Sequence, residues 1–335
     1  MSADLKCPGC AEPVGPADRF CEACGKDLLV HRTPVGGLTG ASRSTCIACG
    51  ATEIDPEGFC TSCGRAQPSG RDRMEWDLGA VAGVTDRGKQ RSRNEDSMAF
   101  ARIGSTTAPR AIVAVVCDGV ASSVRADEAS QAAADAAFDV LAGAALDESD
   151  LTAANTDAVD AAQAVVTELA RDEHPSTAPS STYVSAVLTS DTLTVGWVGD
   201  SRAYWLSAGG QTPSRLLTTD DTVAAQLVAA GMAEEEADRV YNAHALSSWI
   251  GADARDVRPH VMTMSPVGPG ALILCSDGLW NYLPEADDLA AKLPTDTGRI
   301  SALAAATELT ALALELGGAD NITVVVVPFP FKGAE

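Results

Sequence analysis

Two groups of residues in this chain of 335 have the types and spacing for metal chemistry. The first is a set of eight cysteines between positions 7 and 63. Cys7, Cys10, Cys21 and Cys24 read C-x2-C-x10-C-x2-C, and Cys46, Cys49, Cys60 and Cys63 repeat that spacing 39 residues on. Gly25 and Gly64 follow each last cysteine, and Phe20 and Phe59 precede each third one, so the segment is an internal duplication. Two C-x2-C knuckles can bring four thiolates around one Zn²⁺ at bonds of about 2.3 Å. Iron–sulfur chemistry uses the same donors. A disulfide framework fits the even count, but the first residues lack the apolar stretch of a secretory signal. A redox C-x2-C is expected once, beside a βαβ pattern, and not four times.

The second group is a set of carboxylates at the ends of apolar runs. Asp118 follows AIVAVVC (111–117) and precedes Gly119; Asp277 follows ALILCS and precedes Gly278; Asp320 precedes Asn321 and the run ITVVVV (322–327); Glu95–Asp96 opens DSMAFAR. In an antiparallel sheet the end of one strand lies beside the start of its neighbour, so these residues can converge at one sheet edge. Converging carboxylates cannot all stay ionised without cations, and oxygen donors suit Mg²⁺ or Mn²⁺. A single Asp-Gly is ordinarily a turn; the joint pattern carries the reading. Arg87, Lys89, Arg91 and Arg93 directly precede Asn94–Glu95–Asp96, which suits a metal centre that also holds an oxyanion.

The elements that must position these groups follow from pattern. Strand-like runs fall at 111–117, 183–188, 192–198, 271–275 and 322–327, and alanine-rich helical stretches at 126–143, 153–171, 222–231 and 299–316. The short Thr189–Asp191 gap implies a hairpin, against a purely parallel sheet. Pro, Gly and Ser make 31–44 and 65–75 flexible linkers. The domain division is thus a first cysteine module at 1–30, a second at 45–65, a linker at 66–76, and one large domain at 77–331. Net charge is −22, which disfavours nucleic-acid or anionic-membrane binding. The longest apolar runs are far short of the roughly 18–20 residues of a membrane span. The reading is a cytoplasmic protein. Four-thiolate sites are closed, so the zincs are structural and the cysteine segment serves recognition or tethering.

Six stretches carry a family resemblance: TDRGKQRSRNEDS (85–97), VVCDGV (115–120), VGDSRAYWL (198–206), LTTDDT (217–222), ILCSDGLW (273–280) and GGADNITVVVV (317–327). In that order and spacing, the domain resembles the bacterial form of the metal-dependent serine/threonine protein phosphatases of the 2C type, and the cysteine segment resembles a double zinc ribbon. The resemblance implies an α+β fold, an αββα sandwich of two antiparallel sheets flanked by helices. It implies two Mn²⁺ or Mg²⁺ ions: Asp118 bridging both, the Gly119 carbonyl on one, Asp277 and Asp320 on the other, and Glu95 acting directly or through water with Asp96 beside it. It puts the phosphate-binding arginine at Arg91 and makes Asp200 architectural. The implied reaction is hydrolysis of phosphoserine or phosphothreonine on proteins by a metal-activated water, in a signalling role opposite a serine/threonine kinase. Cys117 and Cys275 lie outside any C-x5-R pattern and read as packing residues.

Three departures stand out. After Asp118–Gly119 comes Val120-Ala121-Ser122-Ser123-Val124, without the histidine that relatives place there, and His31, His174, His244 and His260 fall in no replacing motif. The usual Met-Gly-Thr-Thr reads Pro179-Ser180-Ser181-Thr182, preceded by Ala178, with Asp172 and Glu173 nearby. Residues 220–244 stand where a longer flap is usual. The alternative function is therefore a weak pseudophosphatase that binds phosphoproteins or scaffolds a complex.

Overall fold

The structure, a computed structural model, describes residues 7, 10, 12–15, 18–25, 27–36, 49, 51–53, 60–64, 70–104, 109–171, 173–174, 177–208, 212–296 and 299–331. Cys46, Phe59 and Asp172 lie outside these. In chain order the strands begin with β1 (Val30–Arg32), β2 (Arg73–Asp77), β3 (Ala82–Asp86), β4 (Asp96–Gly104) and β5 (Pro109–Asp118). There follow β6 (Ser180–Ser181), β7 (Tyr183–Thr189), β8 (Leu193–Val198), β9 (Arg202–Ser207), β10 (Arg215–Leu216) and β11 (Ile250–Gly251). The last are β12 (His260–Met264), β13 (Gly270–Cys275), β14 (Thr295–Asp296), β15 (Arg299–Ile300) and β16 (Ile322–Phe329). The helices are α1 (Ala126–Leu146), α2 (Leu151–Leu169), α3 (Val223–Ala229), α4 (Glu234–Ala237), α5 (Asp277–Trp280), α6 (Ala286–Ala291) and α7 (Ala302–Leu316).

Two six-stranded antiparallel sheets stack face to face, ordered β1-β4-β5-β7-β8-β12 and β10-β9-β13-β16-β3-β2. The continuous apolar runs are explained by burial on both faces. Along β5, Ala111, Val113, Val115 and Cys117 face the α1–α2 layer, while Ile112, Ala114 and Val116 fill the space between the sheets. Along β13, Leu272 and Leu274 point between the sheets, and Ala271, Ile273 and Cys275 meet α5, α6 and α7. Helix–sheet–sheet–helix layering is thus dictated by strands with two apolar faces. Alanines at the packing positions of α1 (Ala129, Ala133, Ala134, Ala137) keep it close to its sheet, with Phe138 and Leu141 extending the same stripe. The Asp150 carboxylate caps α2, accepting from Thr152 N–H at 2.8 Å. The β7–β8 hairpin lies where the Thr189–Asp191 gap implied it. Cys117 and Cys275 are fully buried, their thiol pKa values pushed up by burial, which fits the packing role. No helix among the described residues is long and apolar enough to cross a membrane.

Neither composition-based linker is wholly free. Val30–Arg32 pairs antiparallel with β4, Arg32 opposite Ala101, and the Thr33 N–H continues the contact to the Phe100 carbonyl at 2.9 Å. Residues 73–76, assigned by composition to the second linker, form most of β2 and pair with β3. Pro, Gly and Ser content reports local stiffness; it cannot register a sheet edge waiting elsewhere in the chain.

Helix α2 meets the sheet through one close approach. Asn155 Oδ1 accepts from Ser185 Oγ at 2.8 Å and Tyr183 OH at 3.1 Å, and a Cβ at Gly196 would lie 2.0 Å from that oxygen. Gly196→Ala is expected to cost about 1–3 kcal/mol by overpacking, read as a lower urea midpoint; an unchanged midpoint would contradict this packing account.

Candidate metal centre

Strand ends from both sheets deliver the acidic residues to one end of the sandwich. Asp118 ends β5 directly opposite Asp96, the first residue of β4. In the other sheet β13 and β16 pair antiparallel, so Asp277, two residues beyond β13, and Asp320, two before β16, fall at the same end. Asp200 follows the end of β8 after the turn at Gly199. The electrostatics agree with this placement: after burial, the charges that raise Asp118 are those of Asp96, Asp277, Asp200 and Asp320.

Small polar side chains fix the backbone around these carboxylates. The Asp118 N–H donates to Thr182 Oγ1 at 3.0 Å, and the Asp118 carbonyl accepts from Ser181 Oγ at 2.9 Å and from the Thr182 N–H at 2.8 Å. Thr182 Oγ1 is itself 2.7 Å from Ser201 Oγ. The altered Pro-Ser-Ser-Thr stretch therefore holds the strand that ends in Asp118. Asp96 is completely buried; its Oδ2 accepts from Ser276 Oγ at 2.7 Å and Thr323 Oγ1 at 2.8 Å. Asn321 ties down the preceding loop: its Oδ1 accepts from the Glu95 N–H at 2.8 Å, and its Nδ2 donates to the carbonyls of Arg87 and Arg93 at 2.8 and 2.9 Å. Gly88, at φ +75, lets that loop pass beneath Asp320, whose carbonyl would lie 2.1 Å from any Cβ there.

The charge balance is unfavourable as it stands. Burial is the largest cause of raised pKa at Asp96 (about 6), Asp200 (about 7) and Asp277 (about 8), and it carries Asp118 well above the usual carboxylate range. Repulsion from neighbouring carboxylates adds to each. Burial likewise raises Glu95, against the lowering pull of Arg91 and Arg93. Asp96 Oδ1 and Asp277 Oδ1 are buried without a hydrogen-bond partner. Orphaned anionic oxygens among hard donors fit divalent cations of the Mg²⁺ or Mn²⁺ kind. Asp200, read from sequence as architectural, is part of this charge cluster. The signal that could have found it is its position, two residues past the end of a β8 that neighbours β7.

The Arg91 guanidinium reaches Asp320 Oδ2, and that hydrogen bond raises its pKa. Arg87 instead donates to the Arg91 carbonyl at 2.7 Å, while Arg93 lies 3.6 Å from Asp127. Of the four arginine and lysine residues in this loop, Arg91 is thus the one hydrogen-bonded to a cluster carboxylate. Glu173, near the departed second motif, lies 3.9 Å from Arg125. In the turn after Gly119, Ser123 Oγ donates to the Val120 carbonyl at 2.7 Å, so it closes its own turn. His260 contacts a neighbouring loop: its Nε2 is 2.8 Å from Asp221 Oδ1, and Asp221 Oδ2 accepts from the Gly199 N–H at 2.9 Å. Residues between β10 and β11 form the small excursion α3–α4 with its own cluster of Ala224, Ala237 and Ala243.

At the N-terminus, the sulfurs of Cys7, Cys10, Cys21 and Cys24 lie within 4.8 Å of one another, as do those of Cys49, Cys60 and Cys63. Cys7–Cys24 and Cys10–Cys21 separations of 3.6 and 3.5 Å are far beyond a disulfide's roughly 2.05 Å. They approach the ~3.8 Å edge of a tetrahedron with ~2.3 Å metal–sulfur bonds. The duplication holds in three dimensions: the Gly25 N–H bonds to the Cys21 carbonyl and the Gly64 N–H to the Cys60 carbonyl, both at 2.8 Å.

Residues 85–312 match the family model described as protein phosphatase 2C, and residues 7–64 match that of the double zinc ribbon. The chain belongs to the protein phosphatase 2C family. Its relatives include the serine/threonine protein phosphatase PstP of Mycobacterium tuberculosis, 31% identical over 254 residues, which are 73% of this chain and 44% of that one. The chain thus spans less than half of that relative's length. The serine/threonine phosphatase stp of Listeria innocua is 27% identical across 72% of this chain and 93% of its own. Among solved structures, the PstP catalytic domain in complex with two manganese ions superposes at a TM-score of 0.56 with 28% identity, covering 73% of this chain and 96% of that one. The Stp1 phosphatase of Staphylococcus aureus shares the fold at a TM-score of 0.61 and 22% identity, covering 76% and 97%.

Raised carboxylate pKa values have a consequence for stability. The folded state favours the neutral acids, so their contribution is fully present below the unfolded value of about 3.9 and is lost as pH rises through about 6 to 8. Protein dialysed free of Mn²⁺ and Mg²⁺ is expected to melt lower at pH 8.5 than at pH 5.5, and added Mn²⁺ to reverse the loss. A midpoint that rises with pH in cation-free buffer would contradict the assignment.

Proposed function

We propose that the chain hydrolyses phosphoserine and phosphothreonine monoesters on proteins, using two Mn²⁺ or Mg²⁺ ions held by the carboxylate cluster. The observation that carries this reading is the convergence of Asp96, Asp118, Asp200, Asp277 and Asp320, four of which are held above the ordinary carboxylate range. A fold that collects such charge needs cations to complete it.

Asp118 would be the shared ligand, the Gly119 carbonyl, Glu95 and Asp96 would serve one ion and Asp277 and Asp320 the other, and Asp200 would add a further carboxylate beside Asp277. When bound, the cations supply a water nucleophile ionised near neutral pH and neutralise phosphoryl charge. The protein's own residues then have distinct tasks. Thr182, Ser181 and Ser201 hold Asp118 rigid; Ser276 and Thr323 keep Asp96 oriented. Arg91 exchanges its Asp320 partner for the substrate's phosphoryl oxygens, its planar fork suited to two of them. The turn at 120–124 offers no histidine to protonate the leaving oxygen. Substrates on this reading are targets of a serine/threonine kinase. The cysteine segment is a pair of structural zinc modules, which fits a reducing compartment such as the cytoplasm.

Purified chain is expected to release phosphate from a phosphothreonine peptide only with Mn²⁺ or Mg²⁺, and Asp118→Asn or Asp277→Asn to lower the rate at least a hundredfold. Wild type no faster than these variants would sink the catalytic reading and leave phosphoprotein binding as the function. Elemental analysis is expected to find two zincs per chain; a metal-free segment, or iron in their place, would overturn the zinc assignment.

A further inference from the structure

The segments that leave the two cysteine modules do not hang free. Both close on helix α1, on the side that supports Glu95. After the first module, Arg32 lies 2.5 Å from Asp135 and 2.6 Å from Asp139, with its guanidinium 4.3 Å from the Phe138 ring centroid. Asp135 and Asp139 are four apart on α1, so one planar cation spans both. Asp135 Oδ2 also accepts from the Gly36 N–H and from Gln131 Nε2, each at 2.9 Å.

After the second module, Arg71 takes the other end of that row. Its guanidinium donates to Ser97 Oγ and to the Asp127 carbonyl, both at 3.1 Å, with a longer 3.5 Å contact to Gln131 Oε1. Its own carbonyl accepts from Asn94 Nδ2 at 3.0 Å. Ser97 Oγ lies 2.9 Å from Ser130 Oγ, and Ser130 Oγ donates to the Glu95 carbonyl at 2.5 Å. Arg71 therefore grips Asn94 and Ser97, the residues on either side of Glu95–Asp96. Burial lowers its pKa, against the pull of Asp127 and Asp96.

We infer that Arg71 is a positioning residue for the cation site, and that with Arg32 it makes the exits of the cysteine modules a clasp that holds Asn94–Ser97 against α1. The inference rests on the reading of the carboxylates as a cation site. It gives the cysteine segment a task within its own chain: the residues following each metal knuckle support the metal centre of the large domain. Arg71 touches neither substrate nor cation in this account; it acts through the backbone of Glu95.

The test is direct Mn²⁺ binding to the full chain, read from the electron paramagnetic resonance of free Mn²⁺ during titration. Arg71→Ala is expected to weaken Mn²⁺ binding about tenfold, the scale of outer supports of metal ligands, and to leave phosphate release at saturating Mn²⁺ near wild type. Arg71→Lys should recover part of the affinity, and Arg32→Ala should show a smaller weakening in the same direction. Gly196→Ala, which overpacks against Asn155 and touches no residue of the clasp, should leave Mn²⁺ affinity unchanged. The inference is overturned if Arg71→Ala binds Mn²⁺ within twofold of wild type, or if Gly196→Ala weakens binding equally. If Arg71→Ala does not fold, Arg32→Ala decides on the same criterion, an unchanged affinity being fatal. A wild type that takes up no Mn²⁺ would remove the cation site itself, a failure distinct from loss of the clasp alone.

Discussion

Burial of clustered carboxylates is the constraint on which the rest of this structure turns. Asp96, Asp118, Asp200 and Asp277 lie where protein has displaced most of the water; that burial drives each toward the neutral form, and repulsion from neighbouring carboxylates adds to it. At physiological pH such a cluster opposes folding unless cations enter it. The sandwich can tolerate it because the opposing terms lie elsewhere: three contiguous apolar clusters, two between helices and sheets and one between the sheets. The acids occupy strand ends, where alternation of apolar residues stops and backbone groups are free to pair: the Asp118 carbonyl accepts from Ser181 and Thr182, and the Glu95 N–H donates to Asn321. The fold thus separates the parts that stabilise from the part that reacts.

The hydroxyl and amide residues around the cluster explain how departures from a family pattern can be absorbed. Ser181 and Thr182 hold the Asp118 backbone with two hydroxyls and one N–H, so the geometry at Asp118 does not depend on the residues that relatives carry there. The turn after Gly119 has no such compensation: Ser123 satisfies its own carbonyl.

Much of this was legible in the sequence, for identifiable reasons. Asp118, Asp277 and Asp320 could be found because each interrupts a run of apolar residues, and antiparallel pairing brings strand ends together. The repeated cysteine spacing was self-confirming. What the sequence did not show is that Asp200 shares the charge cluster, because Gly199–Asp200 is ordinary turn chemistry and the carboxylates it disturbs, Asp118 and Asp277, lie far away in the chain. The start of the stretch at 31–44 is held for a similar reason. Arg32 is held by Asp135 and Asp139, more than a hundred residues further on, and no local composition announces that pairing. Both concern charges whose partners are set by tertiary structure.

The central claim is that the acidic cluster is a cation site built around Asp118, and Mn²⁺ titration by calorimetry addresses it without reference to any substrate. The account predicts saturable binding of two ions per wild-type chain, with at least one lost in Asp118→Asn while the helical and sheet content is retained. Absence of saturable binding in the wild type, or an undiminished two-ion isotherm in Asp118→Asn, would contradict it.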